Sequence, residues 1–213
     1  MTDNDKTLIA VLLDRSGSMT ALKQEVEGGF DAFIGEQKKV EGTCHVTLAQ
    51  FDTTYEVVYE RKSLDKVPPL DLQPRGCTAL LDSMGRLITD TDKLLADMPK
   101  KKRPGAVIVA IMTDGMENSS HEWTHPAIKK LVQEKTDKDG WQFLYMGANQ
   151  DAIEEGGKIG IAAANSITYG TRNAAEAMTN SGLNIASYRM ARASGDVLAS
   201  VAYSDAQRES VLK

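Results

Sequence analysis

Short unbroken apolar runs alternate along this chain with longer stretches in which apolar residues recur every three or four positions. Leu8-Ile9-Ala10-Val11-Leu12-Leu13 is apolar throughout and stops at Asp14-Arg15-Ser16-Gly17-Ser18-Met19, so it reads as a strand buried on both faces. Leu22, Val26, Phe30, Phe33 and Ile34 then recur at helical spacing through about Lys39, which predicts an amphipathic helix packed on a sheet. Cys44 to Phe51 and Tyr55 to Tyr59 alternate with a period of two, and the short Asp52-Thr53-Thr54 link predicts a hairpin at the sheet edge. Pro68, Pro69 and Pro74 mark an extended loop, after which Leu80, Met84, Leu87, Thr91, Leu94 and Met98 describe a second helix.

Ala106 to Met112 is again continuously apolar and predicts a central parallel strand that delivers Asp114. A helix from about Pro126 to Lys138, a strand over Trp141 to Gly147, a short helix from Ala152, a short strand over Ser166 to Tyr169 and a final helix from Ala174 to Arg192 complete the reading. Strands alternating with helices predict a doubly wound α/β fold: a mostly parallel central sheet with one antiparallel edge strand and helices on both faces. A chain of 213 residues, 41% apolar, is enough for one self-sufficient domain, expected over 1–192. Residues 193–213 are small and polar with weak periodicity and are expected to form a weakly ordered tail.

The candidate chemistry sits where the first strand ends. Asp14, Ser16 and Ser18 alternate along that exit, which turns one carboxylate and two hydroxyls toward a common point at the carboxyl end of the sheet, where open parallel sheets bind ligands. Ligation by oxygen alone suits a hard cation, Mg²⁺ before Ca²⁺ or Mn²⁺, and disfavours zinc. Asp14-Arg15-Ser16-Gly17-Ser18 also resembles the D-x-S-x-S signature of the von Willebrand factor A family, whose metal-ion-dependent adhesion site needs two further pieces. Thr78 in Gly76-Cys77-Thr78-Ala79-Leu80 and Asp114 in Met112-Thr113-Asp114-Gly115 occur in the family's order, and the resemblance covers most of the chain.

That resemblance implies Ser16, Ser18 and Thr78 in direct contact with the metal, Asp14 and Asp114 acting partly through water, and one position left for a Glu or Asp of a partner protein. It also implies partnership with ATPase machines, and a final helix able to shift when the coordination changes. Neutral hydroxyls quench little of the cation's charge, so an incoming carboxylate gains more than it would at a site crowded with anions. The set holds no base with a second group to orient it, so a binding module is expected rather than an enzyme.

Charge and composition narrow the partners. A formal net charge of -5 and a pI near 5.3 argue against nucleic acid or an anionic membrane as the main partner. Lys100-Lys101-Lys102-Arg103 reads as a solvated loop. The acidic start, the two cysteines Cys44 and Cys77 and the lack of an apolar stretch near the ~20 residues of a membrane span lead to an expectation of a cytoplasmic protein.

His121-Glu122-Trp123-Thr124-His125 offers an alternative, because it spells the H-E-x-x-H pattern of zinc peptidases, in which two histidines one helical turn apart hold the metal and glutamate activates water. The pattern works only on a continuous helix, and Pro126 directly after His125 disfavours helical angles at that histidine. Pro126 is expected to open the next helix, with Thr124 or His125 near its cap. Gly156-Gly157-Lys158-Ile159 lacks the upstream glycine and the hydroxyl of a phosphate loop.

Overall fold

The computed structural model describes residues 3–196 and 198–212. Six strands form one sheet: β1 (Asp3–Asp14), β2 (Thr43–Phe51), β3 (Tyr55–Ser63), β4 (Pro104–Thr113), β5 (Gln142–Ala148) and β6 (Ser166–Tyr169). Their order is β3-β2-β1-β4-β5-β6, with every neighbouring pair parallel except β2 and β3. The hairpin link of Asp52 to Thr54 is too short for a crossover, which is why β3 runs antiparallel to β2.

The apolar run of β1 lies at the middle of the sheet and feeds both faces in alternation. Ile9, Val11 and Leu13 join a layer with α1 (Lys23–Lys38) and α5 (Ala174–Ala193), where Val26, Phe30, Met178 and Ile185 are buried. Leu8, Ala10 and Leu12 face α2 (Leu80–Asp97) and α3 (His125–Asp139), where Met84, Ile88, Ile128 and Val132 are buried. Each of these large side chains contributes roughly 1.5–3 kcal/mol by leaving water. The helices α1 and α5 approach closely because Gly29 has no side chain; a Cβ there would lie 2.7 Å from the Cα of Ala175.

The register sets up the site. Leu13 pairs with Met112 of β4 and Asp14 with Phe51 of β2, so the carboxyl ends of three adjacent strands are level. The loops that follow them therefore leave from one rim of the sheet.

The segment after α5 departs from the sequence-based expectation of a weakly ordered tail from Ala193. Val201, Tyr203 and Val211 are buried in the layer shared by α1 and α5. Tyr203 and Ser181 share a hydrogen bond of 2.6 Å, and a closing helix, α6 (Asp205–Ser210), starts on a reciprocal cap between Ser204 and Gln207. Three spaced apolar residues anchor this stretch without a continuous stripe, so periodicity misses it. Among the described residues no helix is long and apolar enough to cross a membrane.

Candidate metal centre

Asp14 closes β1 and has no exposed surface. Its Oδ1 accepts from the backbone N–H of Ser16 at 2.6 Å and its Oδ2 from the hydroxyl of Thr113 at 2.6 Å. The chain then turns through a short 3-10 segment over Gly17–Leu22, anchored by buried Met19 and Leu22, which leaves Ser18 on the exposed side. Ser16 Oγ and Ser18 Oγ lie 3.1 Å apart, and Ser18 donates to Asp114 Oδ1 at 2.7 Å.

Thr78 reaches the same place from the loop before α2. Asn118 ties that loop to the one after β4: its Oδ1 accepts from the Thr78 N–H at 3.0 Å and its own N–H donates to the Thr78 carbonyl at 3.1 Å. At Gly115, a Cβ would lie 3.1 Å from Thr78 Oγ1 and 3.8 Å from Ser18 Oγ. Only a residue without a side chain leaves this space between the loops open. Thr78 is buried, and among the described residues its hydroxyl makes no hydrogen bond. The structure thus brings Asp14, Ser16, Ser18, Thr78 and Asp114 to one point on the rim.

The electrostatics of that point favour a cation. Burial pushes the Asp14 carboxyl up to about 6 and the charge of Asp114 adds to this, against the opposing bonds from Thr113 and Ser16. Burial also raises Asp114, against its bond from Ser18. The guanidinium of Arg15, the residue after Asp14, pairs instead with Asp52 and Glu56 at 2.9 and 2.6 Å. Two partly desolvated carboxylates flanked by neutral hydroxyls fit a hard divalent ion, whose charge offsets the cost of burying them. Among the described residues no group of three or more His, Cys, Asp or Glu side chains forms a metal cluster, so a site here depends on hydroxyl donors.

Sequence reasoning missed the residues that hold the loops in place. Buried Arg15 pairs with Asp52, which also pairs with Arg75 at 2.8 Å and accepts from the N–H and hydroxyl of Thr54. Burial opposes ionisation of Asp52, but Arg75, Thr54 and Arg15 hold its carboxyl below the usual range. Glu117 accepts from the N–H groups of Ser119, Ser120 and Leu81, which joins the loop after β4 to the first turn of α2. Asp82 accepts from three successive N–H groups, His121, Glu122 and Trp123, at 2.8–2.9 Å. A carboxylate three residues after an Ala79 helix start was the available signal for Asp82; nothing in the spacing marks Arg15 or Glu117.

The H-E-x-x-H segment is not on one helix. His121 to Trp123 lie on the loop, Thr124 caps α3, His125 is its first residue and Pro126 sits in its first turn. Glu122 pairs with Arg86 at 2.6 Å. Cys44 is buried, its thiol pushed up to about 11 by that burial, whereas Cys77 is exposed beside Thr78.

Solved structures of low sequence identity share this architecture. A von Willebrand factor type A protein from Catenulispora acidiphila superposes with a TM-score of 0.58 at 14% identity over 87% of this chain and 43% of its own. The chain has the von Willebrand factor type A fold. The vWF domain of the type V pili tip protein Mfa5 from Porphyromonas gingivalis matches with a TM-score of 0.55 at 10% identity, over 84% of this chain and 94% of its own. Proximal thread matrix protein 1 from the mussel byssus, in a structure with a zinc-occupied MIDAS motif, matches with a TM-score of 0.58 at 18% identity, over 84% of this chain and 46% of its own. The chain spans under half the length of the Catenulispora and mussel structures. No protein-family model and no curated protein sequence matches it. Within the von Willebrand A fold the five oxygen-bearing side chains stand at the carboxyl rim, where β1, β4 and the loop before α2 converge.

Proposed function

We propose that the protein is a divalent-metal-dependent binding module that docks an Asp or Glu of a partner protein. The observation that carries this reading is the continuous contact from Ser16 to Ser18 to Asp114, with Thr78 Oγ1 meeting the same space across Gly115. Ser16, Ser18 and Thr78 would hold the ion, with Asp14 and Asp114 balancing its charge. Mg²⁺ is the proposed cellular ion on the all-oxygen donor set, with Ca²⁺ or Mn²⁺ as substitutes. Met116, 63% exposed two residues after Asp114, supplies an apolar contact for a partner seated on the rim.

A cytoplasmic partner within an ATPase complex is proposed by analogy with the family that the motif resembles. The test is binding of a purified partner with Mg²⁺ and with EDTA. Binding that needs the metal, fails with Asp14→Ala and fails when one partner acid is made an amide supports the reading. Binding unchanged by EDTA and Asp14→Ala overturns it. Peptidase activity lost in Glu122→Ala would instead establish the zinc hydrolase reading, which the broken helix through His125 disfavours.

A further inference from the structure

A second cleft runs between the edge strand β3 and α2, from Tyr55 near the rim toward Leu8 and Asp97 at the opposite end of the sheet, with a volume of about 400 Å³. Its floor is apolar, from Val57, Leu87 and Leu94, and its lip carries the carboxylates of Glu60, Asp90 and Asp97. Lys93 is the only cationic side chain among the residues that line it. Among the described residues none of the three carboxylates makes an ion pair or a hydrogen bond, and Lys93 makes none with them. Tyr55 lines this cleft and also a smaller one of about 300 Å³ that includes Thr53, Ala79 and Ser119, at the loops around Thr78. Its hydroxyl is shielded from water and has no hydrogen-bond partner.

We propose that this cleft takes the side chain of a Lys or Arg that lies in the same partner segment as the acid docked at the metal. The shape and the charge both select such a side chain. An aliphatic stem covers the apolar floor while its cationic head meets the carboxylates, the division of labour by which long basic side chains bury their stems. A neutral aliphatic group leaves the carboxylates unpaired, and an acidic one adds repulsion. Tyr55, shared by both clefts, connects this one to the rim. The inference rests on the docking reading above for its partner, but the chemistry of the cleft is independent of the metal.

The test is an NMR titration of the whole protein in EDTA with Nα-acetyl-lysine N-methylamide and with the norleucine analogue, which keeps the stem and lacks the charge. The lysine probe should shift the Val57, Leu87 and Leu94 methyl signals saturably, at least fivefold more tightly than norleucine, and Asp90→Asn/Asp97→Asn should remove that preference. No saturable shift, equal binding of the two probes, or a preference that survives the double variant overturns the proposal. Shifts that depend on protein concentration alone would assign the cleft to a second copy and also overturn it. A second arm with Mg²⁺ compares peptides carrying Asp with Lys and Asp with norleucine. Failure of the metal reading appears there as a lysine preference with no response to Mg²⁺, whereas failure of the cleft appears as a Mg²⁺ response with no lysine preference.

Discussion

The hydroxyl of Thr113 donates to Asp14 Oδ2 at 2.6 Å, joining the last residue of β4 to the last residue of β1 across 99 positions of sequence. With the Ser16 N–H on the other oxygen, both carboxylate oxygens are oriented before any ion arrives. Partners of this kind, one bond away from the ligands, set ligand orientation and typically govern metal affinity by 10–100-fold. Thr113→Val should therefore weaken Mg²⁺ by about tenfold or more by calorimetry, and Thr113→Ser should restore it. Unchanged affinity in the valine variant would show that this bond does not position Asp14.

Asp14→Asn should separate stability from binding. The buried charge costs the metal-free fold, and an amide keeps an acceptor for Ser16 N–H and offers a donor to Thr113. The melting temperature without metal should rise, by about 2–4 °C per kcal/mol for a domain of this size. The rise that Mg²⁺ produces in the natural protein should vanish. A lower melting temperature in the variant would contradict the assignment of Asp14 as a strained carboxylate.

The pH dependence has a defined sign. Asp14 stands at about 6 in the folded protein, above its ordinary value of 3.8, so its ionisation weighs against the fold at neutral pH. Lowering the pH from 7 toward 5 protonates it and removes part of that cost, which is about 3 kcal/mol for the full shift and disappears only as the pH falls to the ordinary value of 3.8. The metal-free protein should therefore gain stability in this window, while the stabilisation by Mg²⁺ shrinks because proton and ion compete for the same oxygens. Thermal melts across the window, with EDTA and with Mg²⁺, check both slopes.

Much of this was legible in the sequence, and what was not has physical causes. Runs such as Leu8 to Leu13 and Ala106 to Met112 are long, apolar and sharply ended, so their strands and the exits at Asp14 and Asp114 are plain. Ser16 and Ser18 follow at once from the first exit. Thr78 was found only through a resemblance, because nothing local shows that a loop so far along the chain folds back to the rim. The supports were hidden for the same reason: Arg15 meets Asp52, and Asn118 meets Thr78, only after three loops converge. Tyr203 and Val211 were missed because single anchors leave no period.

Arg15 gives a test of those supports. Its side chain is nearly sealed from water, and removing it leaves the equally buried Asp52 with one cationic partner, the exposed Arg75, beside its bonds from Thr54. Breaking a buried pair from one side costs about 3–5 kcal/mol. Arg15→Met should lower the melting temperature by roughly 6–20 °C. Arg15→Met/Asp52→Leu should recover part of that loss, because no charge is left stranded. A single variant as stable as the natural protein would show that the pair does not hold the rim loops.

The most direct test of the metal centre is anomalous diffraction from crystals soaked in Mn²⁺. A peak at about 2.0–2.3 Å from the hydroxyls of Ser16, Ser18 and Thr78, beside Asp14 and Asp114, is the predicted result. A fully soaked crystal with no peak at that point, or with manganese held by Glu122 and His125 instead, would contradict it.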